Sequence, residues 1–253
     1  MAKLGLIRLA TARYNLLYLS KFLYFCQVRM SAVVSNANKI SLVVQAITGL
    51  LGIYGLTIPL APKDAILRQV LGLEIIVQII EFVFYLGFLS ILNLNSLTQE
   101  RYYDWFLSTP VMLFTISLYF FYVNFIEGQD KDSIGLLDFA KNNSKQIFGF
   151  VILNFLMLLF GFLAERGVMD KTLAVVLGIG ALCGSFGIIY ENYAKYSEKT
   201  RKIFWAMFGI WALYGVAFLC PPVIKNVSYT ILDIFAKNFF GIFLYYIIAN
   251  KAV

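Results

Sequence analysis

Residues 101–125 read RYYDWFLSTPVMLFTISLYFFYVNF, an apolar and aromatic run with an arginine and an aspartate three positions apart at its start. From Tyr102 to Phe125 the run is long enough to cross about 30 Å of hydrocarbon at about 1.5 Å of helix rise per residue. It shows no apolar/polar alternation, so it reads as a helix and not as a barrel strand. Backbone groups in hydrocarbon must be paired within their own segment or in a closed barrel, which makes the helix the consistent choice.

Six more runs of the same kind flank it, giving seven spans near Lys39–Ile58, Arg68–Leu92, Tyr102–Phe125, Gln146–Leu163, Lys171–Tyr190, Ile203–Leu219 and Ser228–Ala249. Turn-forming residues separate them: Pro59 and Pro62, Asn93 to Ser96, Asn142 with Asn143, Gly167, and Pro221 with Pro222. The whole 253-residue chain is 60% hydrophobic and only 14% charged, where a soluble domain carries about 25% charged residues. Such a composition has no surface to show to water, and the bilayer is its natural solvent.

The net charge of +7 does not point to nucleic acid, because the basic residues sit in a leading segment and in the connections. With the first connection on the cytoplasmic side, that side holds Lys63, Arg68, Lys131, Lys141, Lys145, Lys195, Lys199, Arg201, Lys202 and Lys251, against Arg166, Lys171 and Lys225 opposite. This asymmetry predicts an extracellular N-terminus and a cytoplasmic C-terminus. Residues 1–38 carry Lys3, Arg8, Arg13, Lys21 and Arg29 and no acid. They read as an interfacial helix, with a targeting segment or a disordered tail as alternatives, ahead of a seven-helix domain at 39–253. Cys26, Cys183 and Cys220 lie far apart and the chain has no histidine, which argues against Cys/His metal sites and against a disulfide framework.

Ionisable groups inside spans are costly and are functional candidates by default. Here they are Glu74 and Glu81, Arg101 and Asp104, and Asp233 and Lys237. Asp233 and Lys237 are four residues apart, Arg101 and Asp104 three, Glu74 and Glu81 seven, so each pair shares one helix face. A structural ion-pair network is one reading. The other is chemical: a lysine held out of water presents a free amine that condenses with an aldehyde to a Schiff base, with nearby carboxylates as counter-ions.

The third span, Arg101-Tyr102-Tyr103-Asp104-Trp105-Phe106-Leu107-Ser108-Thr109-Pro110, closely resembles the third-helix R-Y-x-D-W-x-x-[TS]-T-P segment of the microbial (type 1) rhodopsins. Leu232-Asp233-Ile234-Phe235-Ala236-Lys237 resembles their L-D-x-x-x-K retinal-binding helix. Trp211, Tyr214 and Phe218 resemble the sixth-helix W-x-x-Y-P-x-x-W pocket, with Gly215 in place of the proline and Phe218 in place of the second tryptophan. Met157 and Gly161 resemble the M-x-x-x-G of the fourth helix, and Tyr85 a second-helix tyrosine near the counter-ions. The segments Val77–Phe82 and Lys237–Gly241 are also similar to rhodopsins encoded by large viruses of algae and protists.

The resemblance implies an all-α, seven-transmembrane-helix microbial rhodopsin fold. By the same resemblance Lys237 carries all-trans retinal as a Schiff base, Asp104 is primary counter-ion and proton acceptor, Asp233 is second counter-ion, and Arg101 tunes both. Trp105, Thr109, Met157, Gly161, Trp211, Tyr214, Phe218 and Tyr85 belong to the retinal pocket. Asp104, Ser108 and Thr115 occupy the function-setting positions. Thr115 stands where proton pumps usually carry a carboxylate, and Lys225 where an exit acid would fall. Glu74 and Glu81 copy the seven-residue glutamate spacing of channelrhodopsins, and a carboxylate stripe draws in water and cations.

The expectation is therefore a light-gated cation channel passing H+ and/or Na+/K+, with an outward proton pump or a sensory photoreceptor as alternatives. It is not an enzyme. The bilayer surrounds it, and a homo-oligomer is open.

Overall fold

The computed structural model describes residues 31–128 and 135–252. The expected interfacial helix, with Cys26 and every basic residue of the leading segment, and the loop residue Lys131 lie outside the described residues. All seven expected spans are helices. They are α1 Ser31–Thr57, α2 Ile66–Phe88, α3 Leu94–Glu127, α5 Ser144–Glu165, α6 Lys171–Ile189, α7 Glu198–Phe218, and a last span in three pieces. The short α4 (Leu136–Asn142) precedes α5. The last span consists of α8 Pro222–Asp233, a π-helical turn Ile234–Asn238 and α9 Phe239–Ala249.

Six spans are long and apolar enough to cross a membrane by length and composition alone. The remaining one, α7, opens with Glu198, Lys199, Arg201 and Lys202, yet its 21 residues reach about 30 Å and pack between α6 and α8.

Several ends differ from the sequence expectation for visible reasons. Helix α1 is already formed at Ser31, ahead of Lys39. The start of α3 is Leu94 and not Tyr102, because the Asn93 side chain accepts from the backbone N–H groups of Asn95 (2.9 Å) and Ser96 (3.1 Å). Pro221 and Pro222 do not delay the last span to Ser228. Pro222 takes its first position, where a missing N–H costs nothing. Lys225, read above as a loop residue, is thus buried inside α8 and paired with Glu165 at the end of α5.

The bundle is inverted relative to a soluble one. On α1 the buried face is Asn38, Ser41, Gln45 and Thr48, with Val34 and Leu42, while Ile40, Val43, Ile47, Leu50 and Ile53 are exposed. On α2, Glu74, Gln78, Glu81 and Tyr85 point in, while Ile76, Ile79, Val83 and Leu86 point out. Only a hydrocarbon solvent makes that arrangement favourable. Helix α3 packs against α2, α5 and α8 and is the most buried span.

Helix α1 docks through small residues. A Cβ at Gly55 would meet the Leu71 side chain at 2.7 Å and Tyr245 at 3.1 Å, so a side chain there would have to displace both where α1 meets α2 and α9. Replacing Gly55 by leucine is therefore expected to destabilise the bundle by about 1–3 kcal/mol. Gly49→Leu, which meets open space, should be neutral. Thermal unfolding of the two variants in detergent makes the comparison, and equal melting temperatures would contradict this packing.

Candidate retinal and ion site

At mid-bundle the Lys237 amine donates to Asp104 Oδ2 at 2.7 Å and lies 3.9 Å from Asp233 Oδ1. All three side chains are buried. They come from α3 and from the junction of α8 with the π-helical turn. Wide turns of this kind favour functional positions, and here Ala236, Lys237 and Asn238 are all buried in succession.

The two carboxylates are held differently. Asp233 accepts from the Tyr85 hydroxyl (2.7 Å), the Tyr214 hydroxyl (2.6 Å) and the Trp105 indole N–H (3.2 Å), and lies 3.5 Å from the Arg101 guanidinium. Asp104 has the lysine amine as its cationic partner, with Ser108 one turn further along α3. Arg101 donates to Asn226 Oδ1 (3.1 Å), Asn38 Oδ1 (3.1 Å), Thr230 Oγ1 (2.7 Å) and the Tyr85 hydroxyl (3.0 Å). It also lies against the rings of Tyr85 and Phe88.

A cavity of about 330 Å³ starts at Lys237, Asp233 and Ala236. Of the expected pocket residues, Trp105, Thr109, Met157, Gly161, Trp211, Tyr214 and Phe218 all line it, whereas Tyr85 lies outside the lining, bonded to Asp233 and Arg101. Trp105 meets Tyr214 and Tyr229 edge-on at ring distances of 5.4 and 4.9 Å. Gly161 has a steric role as well: a Cβ there would strike the Tyr102 hydroxyl at 2.6 Å. The lining is apolar except at the lysine end, so the cavity suits a long apolar molecule bearing one amine-reactive group. That is the chemistry of retinal, a polyene aldehyde.

Thr115 is buried away from the cavity and spends its hydroxyl on the Val111 carbonyl of its own helix at 2.7 Å. Glu81 accepts from the Asn238 amide at 3.2 Å, and Glu74 from Gln78 at 3.4 Å. Thr48, Glu74 and Gln78 converge around Gly241, whose absent Cβ would lie 3.1 to 3.7 Å from them. Together with Gln45 and Asn238 these residues form a polar seam between α1, α2 and the last span, beside Lys237. In it Gln45 Oε1, Glu74 Oε2, Gln78 Oε1, Glu81 Oε1 and Asn238 Oδ1 are buried acceptors with no donor among the described residues. Among the described residues no group of three or more His, Cys, Asp or Glu side chains is placed to hold a metal ion.

Sequence reasoning missed several participants. Asn226 and Thr230 fall on the Asp233–Lys237 face at helical spacing, and Asn38, Ser41, Gln45 and Thr48 do so on α1; that periodicity was a usable signal. Asn154, a lone amide in apolar α5 that donates to Thr109 at 2.8 Å, was equally visible as an intramembrane polar residue. Asp64 was not. It lies in the short 3₁₀ turn Pro62–Asp64 after α1, is buried, pairs with Lys251 at 2.9 Å and accepts from the Tyr122 hydroxyl. Nothing local in the sequence marks a loop aspartate as buried.

Comparison with known proteins agrees with this geometry. The bacteriorhodopsin-like protein family matches residues 36–251. The viral rhodopsin OLPVRII superposes with a TM-score of 0.75 at 26% identity, over 87% of this chain and 99% of that one. Exiguobacterium sibiricum rhodopsin gives 0.66 at 17% identity over 88% and 98%. Halorhodopsin, a light-driven chloride pump, gives 0.60 at 17% over 87% and 97%; likeness at this identity speaks to fold alone. No curated protein is detectably similar by sequence. With the family match spanning most of its length, and with a buried lysine, two carboxylates and an apolar cavity at mid-bundle, the chain belongs to the bacteriorhodopsin-like family of retinal-binding membrane proteins.

Proposed function

We propose that this chain is a light-gated cation channel, with all-trans retinal held on Lys237 and a conduction path along the seam between α1, α2 and the last span. The observation that carries the channel reading is that seam: a buried run of acceptor oxygens from Gln45, Glu74, Gln78, Glu81 and Asn238, lacking protein donors and rich in carboxylate. Buried polar atoms without partners are expensive unless water or cations reach them. Carboxylates in such a path favour cations over anions.

When bound, retinal supplies the absorption of light and the change of shape that follows it. The protein supplies the rest. Lys237 positions the chromophore, and the cavity around Trp105, Trp211 and Tyr214 excludes water from it. Asp233 is held by three neutral donors and by Arg101, whereas Asp104 depends on the amine, so Asp104 is the carboxylate placed to take a proton when the amine's charge moves away. Lys237 and Asn238 share the π-helical turn. A shift of the lysine backbone therefore pulls on the amide that caps Glu81, which couples the chromophore site to the seam.

In this reading two polar clusters close the ends of the path. Arg101 with Asn38, Asn226 and Thr230 closes one. Asp64 with Tyr122 and Lys251 closes the other, where the tail also pairs through a backbone bridge between Leu60 and Ala252. The distribution of basic residues supports a reading with the Arg101 end outside and the Asp64 end in the cytoplasm. An outward proton pump is the second reading, favoured by the direct Lys237–Asp104 contact. Thr115, whose hydroxyl is tied to its own helix, counts against rapid proton return from the cytoplasmic side.

Two measurements test this. Wild-type protein incubated with all-trans retinal is expected to gain visible absorption, and Lys237→Ala to remain colourless; a colourless wild type ends the photoreceptor reading. Under patch clamp, the photocurrent should reverse near the cation equilibrium potential, and Glu81→Gln should reduce it about tenfold, a loss worth about 1.4 kcal/mol. A current of constant sign at all voltages, unaffected by Glu81→Gln, selects the pump.

A further inference from the structure

Helix α5 begins, α6 ends and α7 begins at one end of the bundle, and the chain concentrates cations there. Lys141 and Lys145 flank the junction of α4 with α5, Lys195 follows the π-helical turn Tyr190–Ala194 that closes α6, and Lys199, Arg201 and Lys202 open α7. Buried contacts hold these segments side by side. The Tyr193 hydroxyl donates to Asn143 Oδ1 at 3.0 Å, the Phe139 and Tyr193 rings lie 5.7 Å apart, and the Thr200 hydroxyl donates to the Ala194 carbonyl at 2.7 Å.

The acids of these segments answer only part of the charge. Between 136 and 148 and between 190 and 205, the six cations meet three acids, Asp138, Glu191 and Glu198. Glu191 pairs with Lys195 at 2.6 Å and Glu198 with Lys202 at 2.7 Å, at the surface, where such pairs are weak. Lys141, Lys145, Lys199 and Arg201 are exposed and have no ion-pair partner among the described residues. At the opposite end the cations are spent inside the protein, Lys225 in its buried pair with Glu165 and Arg166 against Gln99 and the Phe162 ring.

This basic rim runs directly into the lipid-facing surface. On α5, Lys145 heads a stripe of exposed side chains at helical spacing, Phe148, Ile152 and Phe155. On α7, Arg201 and Lys202 stand four and three residues before Trp205, which is 57% exposed. Tyr196 is 65% exposed and its ring lies 5.5 Å from the Lys195 amine. Long basic side chains beside exposed aromatic rings suit a membrane border, with the cation among headgroups and the ring at the edge of the hydrocarbon.

We propose that this end of α5, α6 and α7 is a seat for anionic phospholipid, in which Lys145, Lys199 and Arg201 hold headgroup phosphates and the acyl chains lie along Phe148 and Trp205. The occupant follows from the continuity of charge with apolar surface. A soluble polyanion or an acidic protein segment would meet the unpaired cations and leave the aromatic border unused, whereas an anionic lipid meets both at once. The distribution of basic residues supports a reading with this end in the cytoplasm, the side on which anionic lipids attract polybasic segments. The seat depends neither on retinal nor on the transport of ions.

Trp205 makes the seat measurable. Trp105 and Trp211 are buried, so bromine carried on acyl chains quenches Trp205 in preference to them. Full-length protein is placed in phosphatidylcholine vesicles with a minor fraction of brominated lipid, supplied as phosphatidylglycerol in one set and as phosphatidylcholine in the other. Wild-type quenching should correspond to about fivefold enrichment of the anionic lipid, the factor expected of one cation near an anionic surface. The triple variant Lys145→Gln, Lys199→Gln, Arg201→Gln should be quenched equally by the two lipids, and Trp205→Phe should lose the lipid-dependent signal. Salt at about 1 M, where the Debye length is about 3 Å, should erase the wild-type excess, and decides the matter if the triple variant misfolds. Equal quenching of the wild type by the two lipids overturns the proposal, as does an excess that survives both high salt and the triple substitution. Retention of soluble polyglutamate by vesicles that show no lipid preference would give the cluster to an acidic protein segment instead.

Discussion

Four buried ionisable groups, Lys237 and Arg101 against Asp104 and Asp233, sit at mid-bundle, and the surrounding helices are arranged to satisfy them. Ions taken out of water lose several kcal/mol each, and recover that only through close pairing and saturated hydrogen bonding. Here the set is balanced, two positive and two negative, and almost every remaining donor is used. Tyr85 comes from α2, Trp105 from α3, Tyr214 from α7, Asn38 from α1, and Asn226 with Thr230 from α8. Five spans are thereby tied to one point. Helix packing in a membrane gains no hydrophobic drive from sequestering apolar side chains, so such polar ties help set which helix faces which.

The same physics decides how much of the molecule was legible in the sequence. Membrane spans are readable because hydrocarbon forbids unpaired backbone, and an apolar run of sufficient length has few alternatives to a helix. The buried ionisable residues stood out for a related reason: a charge in a span has to be explained. The π-helical turn under Lys237 left no such mark. It depends on which carbonyls pair five residues on, which Ile234–Asn238 alone does not reveal, and the turn is packed against α2 and α7. Helix ends were equally hard to read, since a polar stretch such as Asn93–Arg101 looks like a loop until Asn93 caps it.

Polar residues without charge fall between these cases. Asn38, Ser41, Gln45 and Thr48 repeat along α1 at the spacing of one helix face, yet each alone is unremarkable in a membrane helix. They acquire meaning only beside Glu74, Gln78 and Glu81, and that juxtaposition rests on a glycine. Gly241 lets the last span come within van der Waals distance of Thr48, Glu74 and Gln78, and Gly55 does the same for α1 against Leu71 and Tyr245. Side-chain chemistry marks the candidates, but absent side chains bring them together.

The charge count at mid-bundle also bears on what the seam is for. Among the described residues Lys237 and Arg101 pair with Asp104 and Asp233, and the direct hydrogen-bond partner of Glu81 is the neutral Asn238 amide. The hydrogen-bond partner of Glu74 is likewise neutral, the Gln78 amide. A structural role would be served as well by glutamine, which hydrogen-bonds equally and carries no burial penalty for charge. Two carboxylates thus lie on one face of α2, two turns apart, each hydrogen-bonded to a neutral amide and each with a second oxygen that has no donor among the described residues.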